Sequence, residues 1–188
     1  MCSSDLIDTM TAISRNPSNP NPLQVNKYLL TFARCPNLQY FCQSLTVPGL
    51  SKTEIQQTTP FVDTYVPGEK AIYDLLNITF IVDEELTSWL EIHDWIRAMT
   101  FPENFQEYRD LSKLSKITGA IPTAKPQYSD GSLVLLSSNN TPYYEFKFYG
   151  MFPTSISSFI MNSSDSPDNI ITADAAFRYS YFDVKKLF

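Results

Sequence analysis

The sequence predicts a mainly β chain with one covering α-helix and a protruding polar hairpin. Three observations carry that prediction. Aromatic residues make up 14% of the chain while only 5 of its 188 residues are Gly, a mixture suited to an aromatic-rich sheet with short connections. Several stretches alternate apolar and polar residues, the period of a strand with one buried face. A single stretch after Asp83 holds a helical period over several turns. At this length one domain is expected. It can bury roughly 70% of its unfolded surface, so it needs neither disulfide nor metal to fold.

The elements follow in chain order. Leu6, Ile7, Met10 and Ile13 recur at helical spacing behind Ser3 or Ser4, predicting a short helix over Ser4–Ile13. Pro17, Pro20 and Pro22 then make an extended arm, which lies either on the domain or on a neighbouring subunit. Residues 1–24 are thus a helix and arm, and residues 25–188 one β domain. Tyr28–Phe32 and Leu38–Leu45 read as strands around a Cys35-Pro36-Asn37 turn. Val47-Pro48-Gly49-Leu50 punctuates the chain. Ser51–Val66 is polar with β-formers and ends at Pro67-Gly68, a long exposed hairpin or loop. In Asp74–Val82, Leu76, Ile78, Phe80 and Val82 point one way.

Asp83 is placed to cap the helix, with Glu84 and Glu85 in its first turn, where the helix dipole favours negative charge. Leu86, Trp89, Leu90, Ile92, His93, Ile96 and Met99 form its apolar stripe, with Thr87, Glu91, Asp94 and Ala98 opposite. Pro102 ends it. Residues 101–131 read as a surface loop with at most one helical turn, and Asp130-Gly131 as a turn into a Ser132–Leu136 strand. Tyr143–Tyr149 alternates, Gly150-Met151-Phe152-Pro153 breaks it, and Ser155–Met161 resumes. After a polar turn over Ser163–Asn169 comes one last strand. Ile171, Ala173, Ala175, Phe177, Tyr179 and Tyr181 share one of its faces; Thr172, Asp174, Arg178 and Ser180 share the other. No internal repeat and no second domain is visible.

Little in this pattern carries chemistry. The five glycines are scattered, so no loop cradles phosphate through clustered backbone N–H groups. His93 is the one histidine, which excludes a two-His metal site, and it reads as a buried structural side chain. Cys2, Cys35 and Cys42 have no C-x-x-C spacing and read as inert reduced thiols. Asp165 and Asp168 lack the Gly and terminal Glu of a calcium loop, and helix-start electrostatics accounts for Asp83, Glu84 and Glu85. Asn77-Ile78-Thr79 matches a glycosylation acceptor by chance. A formal charge of −6 without a basic stripe argues against gripping nucleic acid. No apolar run reaches the ~20 residues of a membrane span, and no secretory leader is seen, so the protein is expected to stay in the cytoplasm of the cell that makes it. The chain reads as non-enzymatic, with no catalytic, cofactor-binding or metal residues. What remains is surface: sheet edges that a monomer must blunt and an assembling subunit uses.

The order of elements resembles the tail tube proteins of contractile-tailed bacteriophages. Four segments carry the resemblance. Asn21-Pro22-Leu23-Gln24-Val25 runs into the Tyr28–Phe32 strand. Phe41-Cys42-Gln43 lies in a strand followed by Val47-Pro48-Gly49. Asp74–Val82 leads into Asp83-Glu84 and a Trp-bearing helix. Tyr149-Gly150-Met151-Phe152-Pro153-Thr154, the most specific, precedes an acidic polar turn and an alternating strand. Together they span nearly the whole chain, while residues 101–127 are longer and more polar than the family pattern.

The resemblance implies a small β-sandwich or partly closed barrel with one flanking helix. It implies self-assembly into hexameric rings that stack into a hollow inner tail tube, with partners in the tail sheath protein and in baseplate and tail-terminator proteins. DNA would pass non-specifically through acidic walls that repel its phosphates. The implied place is the virion tail, assembled in the host cytoplasm, with no membrane partner. A major tube subunit is the leading expectation, and a baseplate tube initiator or tube terminator the alternative. From other classes, a monomeric β-barrel binding a small ligand through Tyr and Phe is the rival, and a carboxylate-based hydrolase a weaker one.

Overall fold

The structure, a computed structural model, describes residues 21–100, 105–106, 109, 127–164, 166 and 169–187. The expected helix over Ser4–Ile13, the arm through Pro20, most of the 101–126 loop, and Asp165 and Asp168 lie outside them.

A long bent strand organises the rest. Strand β7 (Pro142–Ile156) runs through Gly150, whose φ of +62° turns the chain without ending the ladder. Glycine reaches that left-handed region at no steric cost. On one side β7 pairs antiparallel with β9 (Tyr181–Lys186) before the bend and with β8 (Thr172–Arg178) beyond it. At the corner the Ser180 N–H donates to the Tyr149 carbonyl at 2.9 Å. The expected break at Gly150–Pro153 is therefore a bend, and the expected single last strand is two. Tyr179 is buried, but the step through Ser180 turns Tyr181 outward at 50% exposure and brings Phe182 against the core. The expected Ser155–Met161 strand is shorter: β7 ends at Ile156, the Ser157 N–H still donates to the Asp174 carbonyl at 2.7 Å, and residues 158–161 leave the sheet.

The bend folds the sheet into two leaves. One holds β1 (Tyr28–Phe32), β6 (Ser129–Leu136), the first half of β7, and β9. The other holds the second half of β7, then β8, β5 (Leu76–Ile81) and β2 (Cys42–Thr46). Leu30, Phe32, Leu133, Phe148 and Met151 from the first leaf meet Leu76, Ile78, Phe80, Ala173, Ala175 and Phe177 from the second, all at most 4% exposed. Phe32 stacks on Phe177 across the gap with centroids 5.3 Å apart. Asp130-Gly131, expected as a turn, lies within β6. A Cβ on Gly131 would stand 2.8 Å from Met151 Sδ, so this glycine serves a close approach between neighbours.

Among the described residues two helices, α1 (Pro36–Phe41) and α2 (Thr87–Thr100), cover the sandwich, where one was expected. Helix α1 (Pro36–Phe41) replaces the predicted turn and the start of the predicted strand. Proline suits the first helical turn, whose N–H groups have no intrahelical partner. The Leu38 N–H and the Asn37 side chain donate to Glu91 of the second helix at 3.3 and 2.9 Å, a long-range cap that local sequence does not display.

Helix α2 (Thr87–Thr100) starts after Glu84 and Glu85 rather than with them. The Asp83 carboxylate accepts from the backbone N–H and hydroxyl of both Thr87 and Ser88 at 2.6–3.1 Å. Its buried side is Ser88, Ile92, Trp95 and Ala98, a stripe rotated from the predicted one. Leu90 is 40% exposed, and the His93 side chain, expected to be buried, is 39% exposed. Apolar residues occur around much of this helix, so its period alone left the face undetermined. Trp95 decides it: Arg34 lies 5.1 Å over its ring, Phe177 packs 6.3 Å away, and its Nε1 donates to the Gln127 carbonyl at 3.1 Å.

The predicted hairpin stands apart as a two-stranded sheet of β3 (Leu50–Thr58) and β4 (Asp63–Tyr73). Pro67-Gly68 does not end it but lies inside β4, where the register shifts between Lys52 and Glu54 of β3. A bulge accommodates a proline and a glycine that a regular ladder would not. The Asp74 N–H donates to the Gly49 carbonyl at 3.1 Å and closes the neck.

Candidate functional site

The titratable side chains weighed in the sequence serve the fold. Burial first, then the Glu91 charge, pushes the Cys35 thiol up to about 12, against the opposing pull of Arg34. A thiol so placed stays protonated and unreactive. Burial likewise raises the half-buried Cys42 thiol, whose Sγ lies 3.9 Å from the Tyr28 hydroxyl. His93 pairs with neighbouring Asp94 at 3.1 Å and stacks on Trp89 at 4.9 Å. Burial acts to raise the Asp83 carboxyl, but the hydrogen bonds from Thr87 and Ser88 outweigh it and hold the group well below the usual carboxylate range. Among the described residues no three His, Cys, Asp or Glu side chains are grouped to hold a metal ion. The interior that a ligand-binding barrel would keep open is filled by Phe32, Phe80, Phe148, Met151 and Phe177.

The surface is where this molecule is unfinished. Among the described residues the strand ladders of the sandwich leave four borders unpaired, β1, β9, β2 and residues 152–156 of β7, and each strand of the β3–β4 hairpin leaves one more. Each presents backbone N–H and C=O groups that another chain can complete. The hairpin adds apolar area that the sequence reading, which took it as polar, did not weigh. Phe61 is 98% exposed and Val62 65%, with Leu50, Ile55, Tyr65 and Ile72 also open along its length. The signal was present as Phe61-Val62 between Pro60 and Asp63, an apolar pair where a hairpin tip is normally polar. Exposed apolar groups of this extent on one projection mark an interaction surface.

An open antiparallel sandwich with unpaired borders and an apolar projection has the form of a structural subunit that other chains complete. Residues 14–185 match the family model described as phage tail tube protein, and the chain belongs to that family. It is a structural component of the virion tail. A relative is the tail tube terminator protein of Enterobacteria phage T4, 26% identical over 155 residues, which cover 77% of this chain and 76% of that protein. Two solved structures share the fold. The tube-terminating cap of the anti-feeding prophage has a TM-score of 0.58 at 12% identity, over 94% of this chain and 99% of that one. The sheath/tube terminator of an extracellular contractile injection system, in its extended state, has a TM-score of 0.57 at 13% identity, over 88% and 97%.

Proposed function

We propose that this chain forms a sixfold ring that ends the tail tube, rather than the repeated ring that builds its length. The observation that carries this reading is the 26% identity to the T4 tube terminator over about three quarters of both chains. The family as a whole supports a tube role, and this relative favours the end position over the major-subunit expectation. In this reading the role is architectural and involves no catalysis. Neighbouring copies, the last tube ring and the sheath are the partners, and DNA passes through the bore without being bound. The hairpin from Leu50 to Tyr73 and the N-terminal arm supply contacts between subunits or rings.

Electron microscopy of the purified chain, alone and mixed with preformed tail tubes, tests the proposal. Discrete rings that bind tube ends and stop their growth are expected. Long tubes grown from the chain by itself would identify it as the major subunit instead.

A further inference from the structure

Where the chain enters the sandwich it lines a groove of about 430 Å3 at one end of the β1–β6–β7 leaf. Pro22 and Leu23 form one wall; Leu135 and Leu136 at the end of β6, with Tyr143 and Tyr144 at the start of β7, form the other. Leu23 is 66% exposed and Tyr143 36%, so apolar surface stays open along the groove.

Two lysines stand at its rim. Lys186 is in register with Tyr144 and holds its ammonium 5.3 Å over the Tyr143 ring. The Lys27 carbonyl accepts the Leu136 N–H at 3.0 Å, and the Lys27 ammonium donates to the Asn140 side chain. Glu145, one residue beyond Tyr144, stands opposite Lys185 and 3.8 Å from Lys147, which leaves the two rim lysines for an acidic occupant.

A segment of matching chemistry lies in the chain itself. Residues 1–14 contain Asp5 and Asp8 but no Lys, Arg or His, and Leu6, Ile7, Met10 and Ile13 recur there as an apolar stripe. The notch lined by Ile160, Met161 and Ile171 fits this segment less well. Its lining holds no lysine or arginine, and the sequence around it brings Asp165 and Asp168.

Length decides which copy is involved. Residues 14–20 separate the stripe from Asn21, which itself lines the groove. With Pro17 and Pro20 among them, an extended run of this length spans ~22 Å at ~3.1 Å per residue. Such a spacer carries the stripe out of the groove beside which it starts and toward another molecule.

We infer that the groove receives the Leu6–Ile13 stripe of a neighbouring copy. Each subunit then gives one arm and takes one, a heterologous contact that a ring closes. Burial of the stripe supplies the hold, while Lys27 and Lys186 facing Asp5 and Asp8 set the direction in which the segment lies. The assignment rests on the ring-forming reading above.

Photo-cross-linking tests it. Ser138 is an exposed position in the groove lining. Rings of the full chain carrying Ser138→benzoylphenylalanine are verified by microscopy and irradiated. Covalent dimers and larger multimers are expected, with the probe joined to the tryptic peptide Met1–Arg15, which no earlier Lys or Arg divides. A second probe, Tyr143→benzoylphenylalanine, covers a fold defect in the first. Asp5→Lys with Asp8→Lys should lower the yield several-fold, and adding Lys27→Glu with Lys186→Glu should restore it. Intact rings in which both probes stay unjoined, join another segment, or join residues 1–15 only within one chain overturn the assignment and leave the ring standing. A yield that charge reversal does not move overturns it too. A wild-type chain that stays monomeric at every concentration, with and without tubes, removes both readings.

Discussion

Trp95 and Asp83 hold the covering helix at its two ends. Trp95 is 2% exposed, under Arg34 and against Phe177, whereas Trp89 is only partly buried and its Nε1 has no hydrogen-bond partner among the described residues. Trp95→Ala should therefore cost about 3–5 kcal/mol, and Trp89→Ala clearly less. Chemical denaturation of both variants measures the difference, and equal losses would contradict this placement of the helix. Asp83→Ala should cost about 0.5–2 kcal/mol, the range for losing a helix cap. Its pH dependence has a definite sign. The folded-state pKa lies below the unfolded value of about 3.9. The carboxylate's contribution is thus complete above that value and is lost as pH falls toward the depressed one. The gap between wild type and Asp83→Ala should narrow on acidification, which denaturation curves at pH 7 and in the acid range would reveal.

Among the elements, the β3–β4 hairpin is the one that the core does not need. Its strands pair only with each other, and the Gly49–Asp74 bond already brings the ends of the chain together at the neck. Among the described residues, Tyr73 at its base packs on Tyr179 and Phe182. Replacing Ser51–Ile72 by a short Gly-Ser turn should leave the near-UV spectrum and cooperative melting of the sandwich intact while abolishing rings and tube binding. Sedimentation of the deleted chain checks it: normal assembly would show that the exposed Phe61, Val62 and Ile55 serve some other contact, and a molten product would show that the hairpin belongs to the core.

As a whole the molecule is acidic, with a net charge of −6 and an isoelectric point near 4.7. Copies brought side by side in a ring repel one another, and salt screens that repulsion beyond ~8–10 Å. Ring formation should therefore strengthen from low to moderate ionic strength, the reverse of an assembly held by ion pairs. Analytical ultracentrifugation across a salt series measures it, and dissociation on adding salt would instead point to charge pairing at the junctions. The same net charge predicts no retention of DNA in a mobility-shift assay at physiological salt.

What the sequence determined alone was set by local alternation and by order along the chain. Tyr28–Phe32 and the inward set Leu76, Ile78 and Phe80 were legible because a period of two leaves one face for the core. The phage tail tube family was legible from the order of Tyr28–Phe32, Val47-Pro48-Gly49, the Trp-bearing helix and Tyr149–Thr154. Tertiary structure decided whatever depended on a partner distant in sequence. Pro36–Phe41 became a helix because Glu91 receives the Leu38 N–H of its first turn, and α2 turned Trp95 inward because Arg34, Phe177 and Gln127 were there to receive it. Gly150 bent a strand it was expected to end, since a left-handed glycine changes direction while the ladders on either side carry on. The open borders themselves belong to neither a residue nor a period: they exist only once each strand has chosen its neighbour.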